Sequence, residues 1–190
     1  MVLLKNLLLK KTAGALLALA LLAGTTQAGQ QQDVERELKA VFLYNFAKFV
    51  DWPPEAFPEP ATPVTLCVLG DDAVGESLET VVKGETLSDR RLVVRRPRDA
   101  QQARSCHVLF VGAAEKGRIS EVLAALRGAS VLTVGDGSDF LKSGGMIRFF
   151  LDQNRVRFDI NLDAAERSRL SLSSKLLRLA RAVNPQRREG

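Results

Sequence analysis

His107 is the single histidine of the chain. That excludes a two-histidine metal site and makes any Ser/His/Asp triad depend on one side chain. It follows Cys106 at the start of a short apolar run, where an imidazole at a strand edge or in the core is the ordinary expectation. Cys67 and Cys106 are the only cysteines. They can be a disulfide or two free thiols, one of them nucleophilic, but Cys67 sits inside a strand-like run rather than beside a base. Ser173-Ser174-Lys175 lacks the spacing of an acylating Ser-x-x-Lys, because Leu172 stands where the serine is required. Gly135-Asp136-Gly137-Ser138-Asp139-Phe140 begins like a dinucleotide fingerprint, then lacks the third glycine and a following helix. No nucleophile-base pair, metal-ligand set or cofactor motif can be assembled, so the chain is expected to be no enzyme and to hold no metal or cofactor.

Two further groups bear on binding. Asp71-Asp72 follows the first apolar strand, the pattern by which receiver domains hold magnesium, yet the third strand runs into Gly112-Ala113-Ala114 and offers no phosphate acceptor. One of the two aspartates is then expected to cap the next helix. The alternative is ligand contact: in open parallel sheets small molecules sit beyond the carboxyl ends of the strands. Gly70, Asp71, Gly135, Asp136 and the nearby Phe140 are the candidates there. Arg90, Arg91, Arg95, Arg96 and Arg98 form the one dense basic cluster. It reads either as edge-strand protection or as a contact for an anionic ligand, an acidic partner or phospholipid head groups.

The N-terminus carries an address. Lys5, Lys10 and Lys11 precede an apolar run from Ala13 to Ala23, and Thr26-Gln27-Ala28 supplies small residues for signal peptidase. The run is shorter than the roughly 20 residues a membrane-spanning helix needs, and Thr25 stands where a lipoprotein signal has its cysteine. Residues 1–28 are expected to be a cleaved signal peptide and residues 29–190 one exported domain. Removing three lysines leaves 24 basic residues against 22 acidic ones, so the charge gives no footing for a nucleic-acid partner. Export to an oxidising compartment favours a Cys67–Cys106 disulfide. Cys67 is late in its strand and Cys106 early in its own, a mismatch of register if the two strands are neighbours.

The elements that must position these residues follow from periodicity. Asp33 to Val50 reads as a helix capped by Asp33, with Val34, Leu38, Val41, Phe42, Asn45 and Phe49 at helical spacing, ended by Trp52-Pro53-Pro54. Phe42, Tyr44, Phe46 and Phe49 are expected in the core. A helix apolar all round is either deeply buried or at an interface, so a homodimer is expected. Val64 to Leu69, Arg91 to Arg95, Val108 to Val111 and Val131 to Val134 read as strands, alternating with helices from about Ala73 to Lys83 and from Glu115 to Arg127. Met146 to Leu151 and Arg155 to Asn161 read as a hairpin turned by Asp152-Gln153-Asn154, the second strand having Val156, Phe158 and Ile160 inward and Arg155, Arg157 and Asp159 in water. Asp163 is expected to cap a last helical region with Leu172, Leu176 and Leu179 on one face. The fold class is α/β: a three-layer sandwich with a mainly parallel sheet, an antiparallel C-terminal hairpin and an N-terminal helix.

Several ordered blocks then carry a resemblance. Lys39-Ala40-Val41-Phe42-Leu43-Tyr44-Asn45-Phe46-Ala47-Lys48-Phe49-Val50-Asp51-Trp52-Pro53 resembles the opening signature of the YfiR-like family of exported bacterial proteins. Leu66 to Asp71, Cys106 to Val111, Leu132 to Asp136, Gly144 to Ile147, Phe158 to Asn161 and Leu172 to Leu177 resemble its later blocks in the same order. The resemblance implies a periplasmic regulator that binds and represses an inner-membrane sensor protein, a diguanylate cyclase, and so restrains cyclic di-GMP signalling and biofilm formation. A periplasmic small-ligand-binding sensor acting with another receptor or histidine kinase is the alternative. Some members carry two cysteine pairs; this chain has only Cys67 and Cys106, and the segment from Ser143 to Phe150 offers Gly, Met and Ile instead.

Overall fold

The computed structural model describes residues 29–184. The chain divides into two compact units between Arg36 and Glu37. In the smaller, residues 29–36 are helical and Arg36 pairs with Asp33 at 2.7 Å. Asp33 therefore lies inside helix α1, residues 29–48, rather than at its cap.

In the larger unit α1 buries Ala40, Leu43, Tyr44, Phe46 and Ala47. Leu38 and Val41 stay 41% exposed, so the core-facing stripe is offset from the expected one. The helix stops before Val50–Asp51 (β1), which pairs with a later strand, and Pro53 keeps Trp52 out of the helical region. The strands that follow are β2 (Val64–Leu69), β3 (Thr86–Leu87), β4 (Arg90–Arg95), β5 (Val108–Val111), β6 (Leu132–Asp136), β7 (Ile147–Asp152), β8 (Arg155–Ile160), β9 (Ser171–Leu172) and β10 (Ala182–Val183). Between them lie α2 (Asp72–Val82), α3 (Ile119–Ala125), α4 (Leu162–Arg167) and α5 (Ser174–Leu179).

The main sheet has the order β10-β8-β7-β6-β5-β2-β4-β3, and β1 pairs with β9 in a small second sheet. Strands β4, β2, β5, β6 and β7 are mutually parallel, the doubly wound order in which the chain reverses direction between β2 and β5. Strand β8 returns antiparallel to β7 through Gln153 and Asn154, both at positive φ as a tight hairpin demands. The pleat divides the sheet between two cores. Val64, Leu66, Val68, Val108, Phe110, Leu132, Val134, Ile147 and Phe149 face α1, α2 and the C-terminal elements. Cys67, Leu69, Leu109 and Val111 face α3.

Four local expectations are corrected. A 3-10 helix, Ala113–Arg118, replaces the first turns of the third helix, where Gly117 weakens α-helical continuation. The C-terminal region is two short helices split by β9 and the positive-φ turn at Arg169. Asn161, not Asp163, caps α4 by accepting from the Ala164 amide. Asp159, expected in water, is 0% exposed.

Candidate functional site

The predicted carboxyl-end residues are placed as follows. Asp71 caps α2, its Oδ1 accepting from the Val74 amide at 3.1 Å. Gly70 has φ +75°, and a Cβ there would stand 2.7 Å from Cγ of Glu115. Gly112 at the end of β5 is pressed against the same turn, where an added Cβ would lie 2.7 Å from the Gly70 carbonyl. The reversal point between β2 and β5 is thus tightly packed. Asp136 at the end of β6 pairs with Lys39 of α1 at 2.9 Å. Phe140 is fully buried, its ring lying between Gly135 and Gly145, where an added Cβ at either glycine would run into the ring. The structure brings Gly135 and Phe140 together and gives Asp71 and Asp136 separate structural partners.

One open cleft lies at the opposite, amino end of the strands. It has a volume of about 490 Å³ and is bounded by residues preceding β2, β5 and β6, with Thr65, Cys106, His107 and Ser130 on its wall and Arg95, Arg104 and Arg169 around it. Each arginine comes from a different element: the end of β4, the 3-10 turn Gln102–Ser105, and the turn after α4. Glu55 is the acid of the cleft and lies 3.9 Å from Arg169. The Arg104 guanidinium reaches back to the carbonyls of Ala125 and Arg127, the negative end of α3. Arg104 lies just beyond the basic cluster and Arg169 far from it in sequence, and no local pattern marks either.

His107 forms part of the floor and has no capacity left for acid-base work. Its Nδ1 accepts from the Thr65 amide at 3.0 Å, so its Nε2 carries the proton and donates to the Ala56 carbonyl at 3.1 Å. Phe57 stacks on the ring at 4.5 Å, and Arg90 sits over the outer face of Phe57 at 4.3 Å while donating to the carbonyls of Glu59, Pro60 and Thr62. Together they fasten the proline-rich connector to the sheet. Burial is the main cause that pushes the His107 pKa down; the Ala56 bond opposes it and the Arg90 charge adds to it.

Cys67 and Cys106 form a disulfide with Cα atoms 6.0 Å apart. The expected mismatch of register is resolved by the 3-10 turn before β5, which folds Cys106 over the sheet face toward Cys67. The far end of the sheet holds a charge cluster that sequence reasoning missed. Asp159 of β8 faces its cross-strand partner Arg148 on β7 and accepts from it. It also receives two bonds from Arg181, at 3.1 and 2.8 Å, and both guanidiniums lie over the Phe150 ring.

Among solved structures, a conserved domain protein from Vibrio cholerae O1 biovar El Tor is similar with a TM-score of 0.51 and 13% identity over 68% of this chain and 57% of that one. The likeness is one of fold. The ABC domain from Streptococcus pneumoniae, solved in complex with L-Trp, gives a TM-score of 0.47 and 11% identity over 63% of this chain and 54% of its own. This chain spans little more than half the length of either. A family model matches residues 36–181, from within α1 to the arginine that clamps Asp159, and the chain belongs to the YfiR/HmsC-like family, DUF4154.

Proposed function

We propose that this protein is exported and restrains an inner-membrane diguanylate cyclase by binding its periplasmic domain. The observation that carries the reading is the family match over residues 36–181, since members are periplasmic regulators of signalling and not known enzymes. An N-terminal segment with the composition of a cleaved signal peptide, ending at Ala28, supports it. The groups with chemical potential support it too: His107 holds the connector, Asp159 holds two arginines, and the cysteines hold each other. Their chemistry is spent on the fold, which leaves the surface to act. A regulator of this kind shifts its target only by its differential affinity for the target's two states, about 1.4 kcal/mol for each tenfold difference.

The arginine-bordered cleft favours a second reading, in which a small anionic ligand bound there modulates the same regulator. A homodimer belongs to the proposal as well, supported by the exposed Leu38 and Val41 of α1 and measurable by sedimentation of the exported protein. The test of the main reading is genetic. Deletion raises cyclic di-GMP, and re-expression of the whole chain restores the low level. A version lacking residues 1–28 does not restore it. Unchanged cyclic di-GMP on deletion, or complementation by the cytoplasmic version, overturns the reading.

A further inference from the structure

The five-arginine cluster of β4 and its exit divides by what each guanidinium does. Arg90 is spent on the connector carbonyls and Arg96 on Glu79 at 2.9 Å. The side chains of Arg91, Arg95 and Arg98 have no hydrogen-bonding or ionic partner among the described residues. Arg91 and Arg95 share a face of β4. Leu92 and Val94 pack on the α1 and α2 side, so residues 91, 93 and 95 project over the other face, the one that carries the disulfide.

Among the described residues no helix covers that face at β4. The β4–β5 connection carries only the four-residue 3-10 turn Gln102–Ser105, and the core around α3 contains no β4 residue. A groove of about 520 Å³ results, floored by Cys67 and Cys106 with Arg95 and Arg96 on its wall, and Arg95, Ser105 and Cys106 also border the amino-end cleft. Edge protection needs only a charge on the strand, whereas here the unpaired guanidinium of Arg95 lines a concave groove floored by a disulfide. Concavity also disfavours a bilayer, which is flat and meets basic residues on a protruding surface.

We propose that this groove, with the β4 face that leads from it, is a docking site for an acidic, extended segment of a protein partner, with Arg95 in the groove and Arg91 farther along the same face of the strand as its anchors. The spacing selects the occupant. Arg91 and Arg95 are four residues apart on a strand, about 13 Å, and an extended peptide alongside repeats at the same rise, so carboxylates four residues apart meet both guanidiniums. The nearby acids do not compete: Glu79 is paired with Arg96, and Asp99 accepts from the Gln102 amide at 2.9 Å. The identity of the partner rests on the regulatory reading above, whereas the groove's selectivity does not.

The experiment therefore uses purified components. The exported full-length protein is titrated with a fluorescein-labelled peptide of repeating Glu-Thr-Ser-Thr, which places a carboxylate at every fourth residue, and binding is read by anisotropy. Saturable binding that weakens with salt is expected, with none for the Gln-Thr-Ser-Thr peptide. The Arg91→Ala/Arg95→Ala double variant should bind at least about tenfold more weakly, and Arg95→Lys should fall between, because lysine keeps the charge and loses the fork. Arg155→Ala on β8 should bind like the parent. Equal binding by the double variant overturns the proposal. So does Arg95-dependent binding of inorganic phosphate or of phosphatidylglycerol vesicles without binding of the peptide.

Discussion

Stability below neutral pH should be governed by one residue. His107 is 5% exposed, and its neutral form is held by a bond at each ring nitrogen. Protonating it turns Nδ1 into a donor facing the Thr65 amide, which leaves a buried N–H without an acceptor and costs about 1–3 kcal/mol. Its folded pKa lies below the ordinary 6.5, so beneath that value the unfolded chain binds a proton that the native state refuses. The stabilisation is complete above pH 6.5 and is lost as pH falls toward the folded value. The slope approaches about 1.4 kcal/mol per pH unit at most. Because the chain has one histidine, the window from about pH 6.5 to 5 belongs to His107 before the carboxylates titrate. Urea denaturation of the exported protein at half-unit steps measures it. His107→Gln removes the ring that stacks on Phe57, should lower stability by about 1–2 kcal/mol at pH 7.5, and should flatten the slope in this window. A flat parent profile, or a slope that survives His107→Gln, refutes the reasoning. The variant should still repress signalling wherever it folds.

Three other perturbations test the scaffold. Replacing both cysteines by alanine releases a loop with a sequence separation of 39 residues, and the chain-entropy relation gives a loss of about 4 kcal/mol in urea denaturation. Asp159→Asn leaves two guanidiniums beside a neutral buried amide and should cost about 3–5 kcal/mol; an unchanged midpoint would show that the arginines are satisfied elsewhere. Gly145→Ala drives a Cβ into the Phe140 ring and should cost about 1–3 kcal/mol, with Phe140→Leu recovering part of it in the double variant; strict additivity would contradict the contact.

The centre of the parallel core was legible because β2, β5 and β6 are short apolar runs ended by glycine or aspartate, as in Val64 to Leu69 before Gly70-Asp71. That one of Asp71 and Asp72 caps α2 followed from residue type, and the structure assigns the role to Asp71. The face of α1 was not, because apolar residues surround it and only packing selects Ala40, Leu43 and Phe46 over Leu38 and Val41. Asp159 alternates with Arg155 and Arg157 as a solvent-facing residue would, and its burial depends on Arg181, which arrives from outside the hairpin. The amino-end cleft escaped detection for a related reason. Arg95, Arg104 and Arg169 are gathered by strand order and by two turns, and none stands in a motif. The basic cluster was visible, but which of its members are spent became clear only from their partners.

The account's central claim is regulation by binding from the periplasmic side. Its most direct measurement uses spheroplasts of a deletion strain, whose inner membrane faces the medium, with purified protein added outside and cyclic di-GMP followed inside. A saturable fall in cyclic di-GMP, with none for heat-unfolded protein, is the predicted result. A level that stays constant at every concentration of folded protein would contradict the account.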